Sequence, residues 1–399
     1  MKTHAHHRTA GRIAGMALAG VLFGLPVSAT AAPNYSDWFG YGAEAAAAWE
    51  FIETPDEPLR LTIRRKGSGE PSFRVMVIYP RPSSAYDIAI TKVLDVFDEK
   101  GLDIEFTVIN FDRTESLGHE ALEVADAGDY DLIYSMGSES TAWMWDNYRG
   151  GAVPVVSICS KDPVLLEQAS AYDVGTGTNF AFTSLNTPIE VQMAYLLELK
   201  PELRNLAILV DSQNVSAVQT QAEPIARLAR RRGVQVFDVA VRDPQNARRE
   251  LGSLVSSTVD SMRRNDPTLD HSVFWVTGST SVFREIRTIN ENSDRAPVLS
   301  VVPEVVAAGD DSAVLSIGVS FQSNAHIAAI YGADVLLERA IVGDMPVGVV
   351  SPPDIAINFR KARAIGLNVP FSFLESASTV YDYEGHPVRV DGKSLVPTN

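Results

Sequence analysis

The chain carries two kinds of hydrophobic pattern in turn. Val75-Met76-Val77-Ile78-Tyr79 is an unbroken apolar run, the pattern of a strand covered on both faces. Ile88, Ile90, Val93, Leu94 and Phe97 then recur on one side of a helical pattern. Residues 103–111 alternate as a strand, 117–127 read as a helix, 130–136 as an apolar strand, 137–148 as a helix and 153–159 as a strand. After Gly177 the rhythm starts again. It predicts helix 188–199, strand 206–210, helix 215–232 with Gly233 as its C-cap, and strand 234–241. Helix 245–264, strand 273–277, helix 281–290 and strand 298–302 complete the second series. Strand–helix alternation predicts a parallel sheet with helices on both faces, here twice over.

The last third predicts strand 313–319, a long helix 324–342, strand 355–358 and helix 359–365. These are too few for a third sheet, so they must complete the first two. The expected fold class is therefore α/β, with two doubly wound Rossmann-like lobes and a hinged cleft. Lobe 1 is expected to hold 73–180 plus about 322–352, and lobe 2 to hold 181–321 plus about 353–385. Residues 32–72 read as an N-terminal extension outside the core, with a short helix near Ala45 and a flexible basic linker at Arg64-Arg65-Lys66-Gly67-Ser68-Gly69. Residues 386–399 read as a polar tail.

The first thirty-one residues follow a different logic. Lys2, Arg8 and Arg12 precede an apolar stretch at 13–27, which leads to Ser28-Ala29-Thr30-Ala31. A basic start, a short apolar run and small residues at a cut site define a cleavable secretory signal. An uncleaved anchor is the alternative, but the stretch is short and broken by glycine. The only cysteine, Cys159, stands far from the cut, so no lipid anchor is expected and no disulfide can form within the chain. The periplasm is the expected address, with the medium as the alternative. The formal charge of −16 becomes −19 without the three cations of the signal. Such acidity disfavours nucleic acid and anionic membranes as partners.

Chemical motifs are few. There is no P-loop and no nucleophile elbow, and Gly175-Thr176-Gly177 lacks the third glycine of a dinucleotide site. His119, His271, His326 and His386 are scattered without metal-ligand spacing. Cys159 ends an apolar run and reads as a small buried hydrophobe. No enzyme, metal or cofactor is expected. The strand ends say more, because ligands of open α/β sheets sit beyond the carboxyl ends of the strands. There the chain places Pro80-Arg81-Pro82-Ser83-Ser84, Gly137-Ser138-Glu139-Ser140 and Ser160-Lys161-Asp162. The second series places Asp211-Ser212-Gln213-Asn214 and Thr277-Gly278-Ser279-Thr280. Such clusters can hold a small anion on free backbone N–H groups, or can simply cap helices.

Several stretches are similar, in order and spacing, to one family. They are Tyr130-Asp131-Leu132-Ile133-Tyr134-Ser135-Met136-Gly137, Val153-Pro154-Val155-Val156 leading to Asp162-Pro163-Val164, and Thr176-Gly177 with Pro188-Ile189-Glu190-Val191-Gln192. Lys200-Pro201 before Leu206-Ala207-Ile208-Leu209 continues the series. Gly343-Asp344-Met345-Pro346 and Ile357-Asn358, Ala362 or Ala364, Ile365-Gly366-Leu367 and Val369-Pro370 complete it. From about Arg74 to Ala377 the chain resembles the substrate-binding proteins of ABC transporters, in the family with tryptophan- and tyrosine-binding members. The resemblance implies a type I periplasmic binding protein fold with three interlobe crossovers, ligand capture by lobe closure, and a membrane permease and an ATPase as partners. A sensory protein that presents its ligand to a receptor or kinase is the alternative. Strand-end position and the resemblance together nominate Ser83, Ser84, Tyr86, Ser138, Ser140, Ser160 and Asp162 from the first lobe, and Asn214, Ser279, Thr280 and Phe321 from the second. The expected ligand is small and polar, an amino acid or related organic acid. The chain departs from the family at Gly278, where an acid often precedes Asn-Thr, and at Ser320-Phe321, where Asp-Tyr is common.

Overall fold

A computed structural model describes residues 35–54 and 56–395. The expected signal at 1–31 lies outside them. Two sheets organise the chain. The first holds β1 (Trp49–Glu53), β2 (Arg60–Arg65), β3 (Phe73–Tyr79), β4 (Ile104–Asn110), β5 (Leu132–Met136), β6 (Val155–Ile158) and β7 (Phe180–Ala181). Its order is β1-β2-β4-β3-β5-β6-β7, parallel from β4 to β7. The second holds β8 (Asn205–Asp211), β9 (Gln235–Val241), β10 (Ser272–Val276), β11 (Val298–Ser300), β12 (Leu315–Gly318), β13 (Asp354–Asn358), β14 (Ala377–Tyr381), β15 (Pro387–Val390) and β16 (Lys393–Ser394). Its order is β16-β15-β14-β13-β12-β11-β10-β8-β9. In each sheet the first strand of the parallel set lies between the second and the third, so the order reverses beside β3 and beside β8. That switch opens a crevice at the carboxyl ends of the strands.

The strands form where the apolar runs lie. Val75 to Tyr79 are fully buried, as are all five residues of β5 and of β10. Burial on both faces explains why these segments show no alternation. Three passages carry the chain between the sheets: after β7, after β12 and before β13. After β12, helix Phe321–Leu336 leaves the second sheet and packs on helix Ser84–Glu99 and strands β5 and β6. It comes so close that the Tyr134 hydroxyl donates to the Ala328 carbonyl at 3.3 Å. Two of the passages pair with each other through a bridge between Thr183 and Gly348.

Two expectations about the chain's ends need correction. Residues 35–72 do not stand outside the core. They add β1 and β2 to the first sheet, with β2 antiparallel to β4. Leu61 and Ile63 alternate with Thr62 and Arg64, and the apolar pair is fully buried. Trp49 is 1% exposed and meets Phe106 edge-on at 5.7 Å. Trp38 and Phe39 lie against Tyr79, at 6.1 and 5.9 Å between rings. Arg64 and Arg65, read above as linker, end β2 and pair with Glu105 and Asp98. Short strands broken by charge look like a linker until the neighbouring edge is known. At the other end, β15 and β16 extend the second sheet where a tail was expected. The Asp382 carboxylate closes the turn from β14 to β15 by accepting from the N–H groups of Glu384 and His386.

Candidate functional site

The first lobe brings three loops to the cleft. The loop after β3 carries Arg81 and Ser83, and Ser83 precedes helix Ser84–Glu99. The loop after β5 is minimal, since helix Gly137–Tyr148 starts directly. This needs Gly137, whose φ is +82° and on which a Cβ would fall 2.1 Å from the Tyr86 hydroxyl oxygen. The loop after β6 begins at Cys159, in the left-handed region at φ +55°. Asn324 fixes that turn. Its Oδ1 accepts from the Cys159 N–H at 2.7 Å and from the Thr183 hydroxyl at 3.2 Å. One buried side chain of the crossing helix thus ties the β6 loop to the first passage.

Lys161 is the residue that spans the gap. Its N–H donates to Ser138 Oγ at 2.9 Å, which locks two loops of lobe 1 together. Its Nζ reaches the carbonyl of Gly278, in the loop after β10, at 3.4 Å. Gly278 N–H donates to Gln221 Oε1 at 2.8 Å, and Gln221 Nε2 approaches Asn186 Oδ1 at 3.4 Å. Asn186 also donates to the Thr220 carbonyl at 2.9 Å. A polar chain therefore runs from the β6 loop through lobe 2 to the first passage. Lys161 is 7% exposed, and burial, reinforced by the nearby Arg81, pulls its pKa down to about 8. Burial pushes the thiol of Cys159 up, as a small core residue requires.

From lobe 2, Glu304 follows β11. Its carboxylate accepts from the Phe321 N–H at 2.6 Å. The residue as a whole is exposed, while its carboxylate is packed about by protein. Burial first, then the charges of Asp354 and Asp391, raise its pKa to about 7 against the pull of that N–H. Phe321 is 8% exposed and its ring lies 6.4 Å from that of Phe283.

The nominated residues separate into two groups. Ser138 and Ser160 flank Lys161 in space and sequence, Tyr86 lies over Gly137, and Phe321 faces Phe283. Ser83 is buried at a helix start, while Ser84 is exposed and Thr280 half-buried. Ser160 is fully buried and its hydroxyl has no partner among the described residues. The second group is spent on the scaffold. Ser140 donates to the Ile78 carbonyl. Asp162 accepts from the N–H groups of Val164 and Leu165 and from the Tyr172 hydroxyl. Asn214 caps its helix through Ala217 N–H, and Ser279 Oγ accepts from Asp211 N–H. Asp211, the other acid of lobe 2 at a strand end, is held by Gln213 N–H and the Ser281 hydroxyl. Lys161, Glu304, Gln221 and Phe283 were not nominated. Only Lys161 stood in a cluster singled out from the sequence.

Two crevices, of about 180 and 280 Å³, open beside the passages and share Asp162, Tyr172, Asn186, Thr187 and Pro188. Lys161, Gly278 and Phe321 line neither. Among the described residues no cluster of His, Cys, Asp and Glu could hold a metal, and no helix is long and apolar enough to cross a membrane.

Two doubly wound lobes joined by three passages, with their strand ends meeting across a cleft, define the type I periplasmic binding protein fold. No family model and no curated protein matches the sequence. Solved structures do. A conserved domain protein from Vibrio cholerae shares 17% identity at TM-score 0.62, over 77% of this chain and 99% of that one. An ABC domain from Streptococcus pneumonia, in complex with L-Trp, shares 19% at TM-score 0.61, over 77% and 99%. The ligand-free, open form of a substrate-binding protein with adhesive properties from Clostridium difficile shares 16% at TM-score 0.57, over 76% and 98%. These likenesses show the fold.

Proposed function

We propose that the protein is the solute-binding component of an ABC importer, and that it captures a small polar ligand between its lobes. The observation that carries this reading is the contact of Lys161 with Gly278, a polar bridge between loops at the carboxyl ends of opposing sheets. Such a bridge suits a cleft whose walls can part and close, and a ligand that touches both walls shifts that balance. The names of two of the similar structures, an ABC domain and a substrate-binding protein, support the same role. Ser83, Ser84, Tyr86, Ser138, Ser160, Thr280 and Phe321 supply hydroxyls and aromatic walls to the ligand. Ser140, Asp162, Asn214 and Ser279 hold the loops that present them. The chemistry is binding rather than catalysis. An amino acid or related organic acid is the expected cargo, with a membrane permease and an ATPase as partners. The first thirty-one residues direct export, and the mature chain works in the periplasm without a lipid anchor.

The test has two arms. Differential scanning fluorimetry against amino acids, organic acids, sugars and nucleosides should raise the melting temperature with at least one class. Cell fractionation should place the protein, shortened by the signal, outside the cytoplasm. No shift with any class, or retention in the cytoplasm, would overturn the reading.

A further inference from the structure

Among the described residues Lys161 is a buried cation without a counter-ion. It forms no ion pair among the described residues, and its Nζ has one acceptor, the Gly278 carbonyl, at a long 3.4 Å. Burying a charge is costly unless it is paired and hydrogen-bonded. The groups around it do not supply the missing charge. Arg81 adds a second cation, and Cys159 is neutral. Further out, Glu139 accepts from Arg81 at 3.2 Å and from Arg113 at 3.1 Å, with Asp112 beside Arg113. Three cations thus face two acids on this rim, in a chain of net charge −16. Glu304, across the cleft, takes the Phe321 N–H and pairs with no cation among the described residues. Beside Lys161 in sequence, Ser160 keeps a fully buried hydroxyl with no partner among the described residues. The Ser138 hydroxyl accepts from the Lys161 N–H and keeps its own proton to donate.

We infer that the cleft takes an organic anion, and that Lys161 holds its acid group in place of the Gly278 carbonyl. This rests on the solute-binding reading above. A carboxylate at Nζ meets an ammonium, and charge-assisted hydrogen bonds favour that pairing over the neutral carbonyl. The same lysine that bridges the lobes is then the specificity residue of the cleft. A neutral sugar would leave the ammonium without a counter-charge.

Isothermal titration of the purified protein with L-tryptophan, L-lactate, succinate, D-glucose and myo-inositol decides the matter. At least one carboxylate is expected to bind, with both neutral compounds silent. In Lys161→Met its affinity should fall by roughly a hundredfold, as when a buried charge loses its partner, while Lys161→Arg keeps most of it. Titration of the unaltered protein near pH 8, in buffers of different ionisation enthalpy, should show proton uptake on binding. That measurement decides the question even if Lys161→Met fails to fold. Binding of neutral compounds alone, or a carboxylate bound equally well by Lys161→Met, would sink the inference and leave the solute-binding reading standing. Silence from every compound, together with no thermal shift from any class in the wider screen, would overturn both.

Discussion

Replacing Lys161 by methionine should make the ligand-free protein more stable at neutral pH. Methionine keeps the length of the apolar stem and removes the charge. The depression of the lysine from 10.5 to about 8 corresponds to about 3 kcal/mol of disfavoured charge in the folded state. The bond to the Gly278 carbonyl is long, and its loss costs about 1 kcal/mol. The variant should therefore gain about 2 kcal/mol at pH 7. The sign with pH follows from linkage. The folded lysine loses its proton near pH 8, and the unfolded one near 10.5. Between these values the unfolded state binds more protons, so the natural protein gains stability as pH rises. Methionine has nothing to titrate, so the gap should close as pH climbs from 7.5 towards 9.5. Urea unfolding followed by tryptophan fluorescence, repeated across that range, measures both the gap and its closure. A variant less stable at pH 7, or a gap that stays constant with pH, would refute the picture of an uncompensated buried ammonium.

Three further outcomes follow from the packing. Trp49→Ala should cost about 3–5 kcal/mol in the same assay, because the indole is 1% exposed against Phe106; a loss under about 1 kcal/mol would return residues 35–72 to the status of an appendage. Glu304→Gln keeps an acceptor for the Phe321 N–H but removes the titration. Because the natural carboxyl is raised to about 7, the folded state holds its proton longer than the unfolded one, and the natural protein loses stability as pH rises from 4.5 to 7. The Gln variant should gain on it over that interval and run parallel above it, and parallel curves throughout would contradict the crowded setting of Glu304. Gly137→Ala combines a left-handed φ with a Cβ 2.1 Å from the Tyr86 hydroxyl oxygen, so a loss of about 1–3 kcal/mol is expected by thermal melting; a neutral result would mean that the β5 loop yields easily.

The central parallel strands β3, β5, β8 and β10 were legible because each is buried on both faces and leaves an apolar run. Helix Gly137–Tyr148 and β13 match the sequence reading closely, since a strand end or a cap marks their limits. The antiparallel strands added at the outer ends of the sheets were not legible. β2 alternates over only six residues and ends in Arg64-Arg65, and β15 is four residues with none buried. Their pattern becomes meaningful only beside the strand they pair with, and pairing depends on residues far away in sequence. The helix after β12 was expected to run to 342 but ends at Leu336, where Glu338 turns left-handed at φ +55°. Apolar residues continue past that point, so periodicity alone could not mark the stop.

The site was legible as loops and illegible as side chains. Ser160, Lys161 and Asp162 stand together at the end of β6, and a preference for hydroxyl and carboxylate groups selects the outer two. Asp162 is consumed by two N–H groups and the Tyr172 hydroxyl, contacts that fix the turn carrying Lys161. Lysine is discounted in sequence reading because it is almost never buried without a partner. Here the backbone decides otherwise. The left-handed Cys159, held by Asn324, redirects the chain just before Lys161, and the bond from Lys161 N–H to Ser138 Oγ fixes it against the neighbouring loop. The acceptor for its Nζ lies 117 residues further on. No local signal can announce a contact between loops of two lobes. What the sequence does offer is the departure at Gly278, where relatives in the resembling family often carry an acid. An acid side chain there would stand beside the Lys161 stem, since even the Cβ of such a residue would lie 3.7 Å from Lys161 Cε. Glycine therefore removes the one counter-ion that position could have supplied, and leaves the charge of Lys161 to be met from outside the chain.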